Sequence, residues 1–270
     1  MAIVNTRILI LCKTYPSPSG KYAETTCVAG MDESGKLIRL FPVPFRLIAK
    51  DQQFKKWQWI NAKVEKAKKD HRPESFTIKV DTIDGGEVVL PGKDWAERRR
   101  LLSPIKVYRD FDDIEAARQA TNQSLALLKP TRILGLEIEP VSDPEWTEEE
   151  LAKLVQEQKQ GGLFDDDDKP SIKTLRKLPF DFYYRYECGD GATANTFRHK
   201  LVDWEVGALY WNCHHSHRAD WERHFRDQLE NKIPEKDLML LMGNQHRFQD
   251  QWLIISLIYP PHQMQTELAF

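Results

Sequence analysis

Residues 24–43 read ETTCVAGMD, then ESGK, then LIRLFPV, from Glu24 to Val43. Two β-rich runs flank the turn-forming tetrapeptide Glu33-Ser34-Gly35-Lys36, which is the pattern of a β-hairpin. Upstream, Arg7–Thr14 (RILILCKT) is apolar and β-rich and reads as an earlier strand. Its apolar core, Ile8–Leu11, is short and no small-residue cleavage site follows it, so it is read as a strand and not as a signal peptide. Downstream, Trp59–Lys66 and Ser75–Val80 are two further strand candidates. Gly85-Gly86 marks a turn, and Glu87–Leu90 a short return strand. About six short strands with tight turns in the first 90 residues predict a small barrel or sandwich.

The pattern then changes. Asp94 stands where a helix cap would, before WAERRRLL, and Asp112–Ala120 reads as a second helix. Ile133–Ile138 returns to strand. Thr147-Glu148-Glu149-Glu150 is a capping box that opens a polar helix to about Gln160, stopped by Gly161-Gly162. The run Asp165–Asp168 follows as a solvated loop. Phe180–Cys188 alternates as a strand. Val202, Val206, Leu209, Tyr210 and Cys213 recur at helical spacing, as do Trp221, Phe225, Leu229 and Ile233. Leu238–Met242 and Trp252–Tyr259 are apolar strands. The expectation is a mainly β protein with an α+β second half. Residues 1–140 would form a β-barrel with appended helices, 141–178 an acidic helix and linker, and 179–270 a C-terminal α+β domain.

Apolar residues make up 41% of the chain and aromatics 10%, enough for a substantial core. Net charge is −2, but residues 1–100 carry +7 and the remainder −9, so only the N-terminal part suits a polyanion. Four cysteines at this length do not make a disulfide framework. With no run of 18 apolar residues, the expectation is a cytoplasmic protein with reduced thiols and no membrane span.

Three constellations could carry chemistry. Between Lys36 and Arg72, eleven Lys/Arg face three acids, with Phe41, Phe45, Phe54, Trp57 and Trp59 interleaved. Single-strand binders need this mixture, because cations follow phosphates and flat rings stack bases. Trp57 and Trp59, two apart, would share one strand face. The loop Lys13–Tyr22 holds two lysines, two tyrosines and two prolines. It lacks the spacing of a phosphate-binding P-loop. The third constellation is dense in soft ligands. Five of eight histidines and two of four cysteines fall between Cys188 and His224. Cys213 and His217, four apart, would share a helix face, and Cys188 and His199 would have to complete a set for zinc. Asp203 and Glu205 stand nearby as orienters. Nucleophile elbows, HExxH and GxGxxG are absent from the sequence.

Several stretches resemble a family of uncharacterised prokaryotic proteins described as dual-OB-containing. In the N-terminal part they are Lys13-Thr14-Tyr15-Pro16, Tyr22-x-Glu24 and Leu40-Phe41-Pro42-Val43-Pro44-Phe45-Arg46. Ser124-Leu125, Lys129-Pro130 and Glu139-Pro140 follow. The last group is Tyr183-x-Arg185-Tyr186-x-Cys188, His199, Asp203-Trp204-Glu205, Gly243-Asn244 and Tyr259-Pro260-Pro261. The resemblance implies two small OB-like β-barrels, joined here by helices and the acidic linker, and no established activity. The family pattern has a second cysteine shortly before the position of His199. Gly189-Asp190-Gly191-Ala192-Thr193 stands there instead, which argues against a shared zinc knuckle.

The first functional reading is an accessory protein, bacterial in style, that binds single-stranded DNA or RNA, or a nucleotide. The binding residues would be Lys13, Tyr15, Lys21, Arg39, Arg46, Lys55, Trp57 and Trp59. A place beside DNA repair or phage defence, with repair or antiviral defence proteins as partners, is implied by the resemblance alone. A second reading is a metal-dependent nuclease or nucleotide hydrolase. It would use His199, Asp203 and Glu205, with Cys188, His199, Cys213 and His217 as the zinc candidates. A third is a protein-interaction module that docks through the acidic segment 145–168.

Overall fold

The computed structural model describes residues 2–16, 26–46, 48–92, 94–150, 152, 176–189 and 194–263. Lys21 and residues 153–175, most of the acidic segment, lie outside them. The hairpin forms as read, from β2 (Thr26–Asp32) and β3 (Leu37–Val43). Its turn is tied by the Asp32 carboxylate, whose Oδ1 accepts from the backbone N–H groups of Ser34 and Lys36 at 2.9 and 3.0 Å. Gly35 takes a φ of +83°, a conformation that a side chain would strain.

With β1 (Val4–Lys13), β4 (Gln58–Lys66) and β5 (Ser75–Ile78), the hairpin closes a five-stranded barrel. The strands run β1-β2-β3-β5-β4 and return to β1 through an antiparallel β1–β4 pairing. Among the described residues of the barrel, β3 and β5 are the one parallel pair. A short β6 (Asp84–Val88) adds to β4 on the far side, slightly earlier than the return strand read from the sequence.

The unbroken apolar run in β1 has a physical reason. Successive side chains of a strand point to opposite faces. Ile8 and Ile10 fill the barrel with Val28, Leu40, Ile60 and Val64. Leu9 and Leu11 point outward into a second core. A strand buried on both faces carries no alternation.

That second core lies against an open sheet. It comprises β7 (Val107–Tyr108), β8 (Leu125–Leu128), β9 (Arg132–Pro140), β10 (Phe180–Cys188), β11 (Asn195–Leu201), β12 (Met239–Asn244) and β13 (Trp252–Ile258). The spatial order is β7-β8-β12-β13-β11-β10-β9. Leu125, Leu127, Met239, Leu241 and Ile255 face the barrel. Ala126, Leu128, Leu240, Met242 and Ile254 face the helices α2 (Phe111–Thr121), α3 (Trp204–His217) and α4 (Trp221–Arg226). A π-helical turn, Asp227–Lys232, follows α4. The result is three layers: barrel, sheet and helices.

Two expectations need correction. The second half is a seven-stranded open sheet with a long helix, not a second small barrel. Its central strands are covered on both faces by different layers, and such a sheet has no need to curl around its own interior. The boundary also moves. β8 and β9, assigned above to residues 1–140, hydrogen-bond to β12 and β10 of the second sheet. The first part therefore ends near α1 (Ala96–Leu102). Asp94 does not cap that helix; Trp95 precedes it in the left-handed region at φ 56°. The capping box does form, with the Glu150 N–H donating to Thr147 Oγ1 and the Thr147 N–H donating to Glu150 Oε2.

The seam between the barrel and the sheet is partly polar. Arg39, 3% exposed, donates to the carbonyls of Ser124 and Asn244 at 2.7 and 3.1 Å. Arg72 pairs with Asp70 at 2.6 Å and also donates to the Asn244 carbonyl. The buried Glu74 carboxylate accepts from Ser124 Oγ at 2.7 Å and from its N–H at 3.2 Å. Among the described residues no helix is long and apolar enough to cross a membrane.

Candidate nucleic-acid and nucleotide interface

A cleft opens where α3, β13 and the loop before β4 meet α1. Glu205 and Tyr259 stand at its middle and line both of its chambers. The smaller chamber has a volume of about 260 Å³ and is walled by Lys55, Lys56, Trp57, Trp95 and Arg98. The larger has about 400 Å³ and is walled by α3 and the π-helical turn. π-helical turns are rare and recur at functional sites.

Local backbone explains the smaller chamber. Trp57 lies just before β4, in the left-handed region at φ 65°, which turns its indole into the seam. Its N–H is held by the Ile10 carbonyl at 2.7 Å, and its own carbonyl accepts from the Val89 N–H at 2.7 Å. Trp95, also at positive φ, meets Trp57 edge-on, with ring centroids 5.4 Å apart. The Arg98 guanidinium lies 4.6 Å from the Trp57 centroid and 4.5 Å from the Trp95 centroid. Arg98 is only 8% exposed and its Nε donates to the Val89 carbonyl at 2.9 Å. Among the described residues its two terminal nitrogens make no hydrogen bond and no ion pair. Neither terminal nitrogen is a buried orphan, so the fork opens its unused donors onto the chamber that Arg98 lines.

Beneath the cleft lies an ion cluster. Asp203, 3% exposed, caps α3 by accepting from the Glu205 N–H at 2.8 Å, and also accepts from the Leu257 N–H at 3.0 Å. Lys56 Nζ donates to Glu205 Oε2 at 2.7 Å and to the Leu257 carbonyl at 3.0 Å, and lies 3.8 Å from Asp203. Burial raises the Asp203 carboxyl above the usual aspartate range against the pull of Lys56. Burial also works against the Lys56 charge, but Asp203 and Glu205 together hold its pKa above the ordinary lysine value.

The residues expected to bind nucleic acid are scattered. Lys55 and Trp57 line the cleft. Lys13 is caged beside Phe45 and Trp204 and donates to the Phe54 carbonyl at 2.9 Å; burial lowers its pKa to about 8. The Tyr15 hydroxyl donates to the Arg176 carbonyl and accepts from Trp211 Nε1, and its ring covers Gly207. Arg39 is the seam strut described above. Trp59 is 5% exposed, under the Arg7 guanidinium, and is no open stacking platform. Arg46, half-buried and just after β3, lines neither chamber.

The histidine and cysteine cluster comes apart. His199 Nδ1 meets Tyr186 Oη at 2.8 Å, and its ring packs 4.5 Å from Phe111, inside the helical core. Cys188 and Cys213 are buried in that same core as free thiols. His217 stacks on His224 at 3.5 Å, at the end of α3 opposite Asp203. Among the described residues, no group of three or more His, Cys, Asp or Glu is placed to hold a metal ion. Helical spacing suggested a shared face, but α3 turns Cys213 inward and leaves His217 exposed.

Burial holds the His199 pKa down at about 4, against 6.5 for the free side chain. The folded state therefore resists the protonation that the unfolded chain accepts. Stability is full above pH 6.5 and falls as pH drops toward 4. By pH 5 the loss is roughly 2 kcal/mol. Urea unfolding at pH 7 and pH 5 should show it, and His199→Gln should flatten the difference.

The cleft lies at the junction of two sequence families. Residues 108–270 match a domain of unknown function, DUF8757. The chain belongs to the DUF8757 family. Residues 4–104 match a second domain of unknown function, DUF8758. The boundary between the two coincides with the passage from barrel to sheet. No curated protein matches the chain. In this DUF8757 member the cleft draws Lys55, Trp57 and Arg98 from the DUF8758 region and Glu205 and Tyr259 from the DUF8757 region.

Two features of the cleft escaped the sequence. Arg98 sits in a run of three arginines, where charge alone does not single it out. Lys56 lies 147 positions before Asp203, and no local spacing could pair them.

Proposed function

We propose that this protein binds single-stranded nucleic acid or a nucleotide in the cleft between the barrel and the open sheet. The observation that carries the reading is Arg98, a buried guanidinium flanked by Trp57 and Trp95, with free donors at a cavity. Lys55 adds a second cation without a carboxylate partner among the described residues. The barrel's strand order, with its parallel β3–β5 closure, supports an OB-like classification. OB barrels bind oligonucleotides in cationic grooves; Trp57, 4% exposed, serves here to hold Arg98 and offers no open stacking face.

An accessory role in a bacterial cytoplasm, beside DNA repair or phage defence, rests on the resemblance of the chain to dual-OB-containing proteins. The acidic interaction segment lies largely outside the described residues and adds nothing to either side. The test is tryptophan fluorescence titrated with short single-stranded DNA, RNA and nucleotides at low and high salt. Binding should quench the signal and weaken steeply as salt rises. Failure to bind any of these at low salt would overturn the reading.

A further inference from the structure

The two chambers differ in chemistry, and the difference divides a nucleotide. We infer that the smaller chamber takes a terminal phosphate monoester and the larger one the nucleoside attached to it. The inference rests on the proposed nucleic-acid or nucleotide reading and deepens it.

Charge supports the phosphate. Lys55, Lys56, Arg98 and Glu205 line the smaller chamber; Glu205 and Asp203 hold Lys56, which leaves Lys55 and Arg98 as two cations without a carboxylate partner among the described residues. A terminal monoester carries close to two negative charges at neutral pH, whereas an internal diester carries one. The planar Arg98 fork suits two phosphate oxygens at once. Size supports an end and not a passing strand. A chamber of about 260 Å³ is smaller than ordinary ligand pockets. A strand tracked along a barrel would instead need a groove several nucleotides long.

The larger chamber suits a sugar and base. Its floor is apolar, with Val206, Leu229 and Ile233. Asn212 and Gln228 stand at its walls, and their side-chain amides make no hydrogen bond within the chain among the described residues. An amide offers both a donor and an acceptor, as the edge of a base requires. Lys236 approaches the Tyr259 ring at 4.9 Å and leaves its charge near the junction. A base in the larger chamber and a phosphate in the smaller would place the sugar against Tyr259 and Glu205, which line both.

A free nucleotide and a strand end share this phosphate monoester chemistry, and one set of titrations separates the two. Labelled tetranucleotides carry a 5′-phosphate, a 3′-phosphate or hydroxyl ends only, and nucleoside monophosphates and inorganic phosphate compete with them. One phosphorylated end should bind at least tenfold tighter than hydroxyl ends. Lys55→Gln, on an exposed side chain, should erase part of that preference without disturbing the fold. Arg98→Ala should lower affinity about 30-fold or more. Arg98→Lys, which keeps the charge and loses the fork, should fall between. Competition by a monophosphate alone, at equal affinity, identifies a free nucleotide as the ligand; tighter binding of the phosphorylated tetranucleotide identifies a strand end. Equal binding of phosphorylated and hydroxyl ends would overturn this inference and leave nucleic-acid binding standing. Competition by inorganic phosphate as strong as by the nucleotide would overturn the assignment of the larger chamber. No binding by any probe would remove both proposals.

Discussion

Lys56→Met should cost about 3–5 kcal/mol of unfolding free energy at neutral pH, because it strands a buried carboxylate. Asp203 is 3% exposed, and Lys56 is the cation closest to it. The same lysine satisfies the Leu257 carbonyl and pairs with Glu205. Methionine matches its length but offers neither charge nor donor. The pH signature separates this cause from simple loss of packing. Burial already holds the Asp203 carboxyl above its free range. Without Lys56 its pKa rises further, so the folded variant takes up a proton that the unfolded chain refuses. The deficit against the parent is therefore largest at neutral pH and above, and shrinks as pH falls. Adding Asp203→Asn to Lys56→Met should recover much of the loss. Urea denaturation of the parent, both single variants and the double variant closes the cycle. Full additivity of the two single costs would count against a coupled pair.

Glu74→Ala should be nearly as damaging, at about 3–5 kcal/mol, through a different route. The Ser124 N–H and hydroxyl both donate to that carboxylate, and Ser124 is fully buried. Truncation leaves two donors without acceptors and removes a negative charge from a seam that also buries Arg39 and Arg72. Glu74→Gln keeps one acceptor oxygen and should cost roughly half as much or less. Chemical unfolding of the two variants side by side is the measurement. Equal losses for Ala and Gln would place the cost in the charge and not in the Ser124 hydrogen bonds.

Strand runs in the barrel were legible because their turns are local. Glu33–Lys36 and the hairpin around it need only neighbouring residues. The second sheet was harder. β8 is a run of four apolar residues, LALL, too short to tell from a loop passing through a core. β11, NTFRHKL, is largely polar on its exposed face and carries little periodic signal. Both owe their existence to partners far along the chain. The basic aromatic stretch is legible as a composition, and the structure distributes its residues between the seam and the cleft. Arg39 and Arg72 hold the seam and Trp59 fills it, and among the described residues of the stretch Lys55, Lys56 and Trp57 line the cleft. Composition records that charge and rings occur together. It does not say which of them a second domain will cover.

The two-sided burial of β1 bears on how this protein came to be, not only on how it folds. Two sequence families meet in one chain, which invites the view of interchangeable modules. Yet the strand that closes the barrel is also a wall of the shared core, with Leu9 and Leu11 in one buried cluster with Leu127, Leu241 and Ile255. A barrel parted from its sheet would carry a sticky apolar flank and would tend to self-associate. Substitutions on either side of that wall are thus constrained by the other, and the two halves are expected to change together over descent.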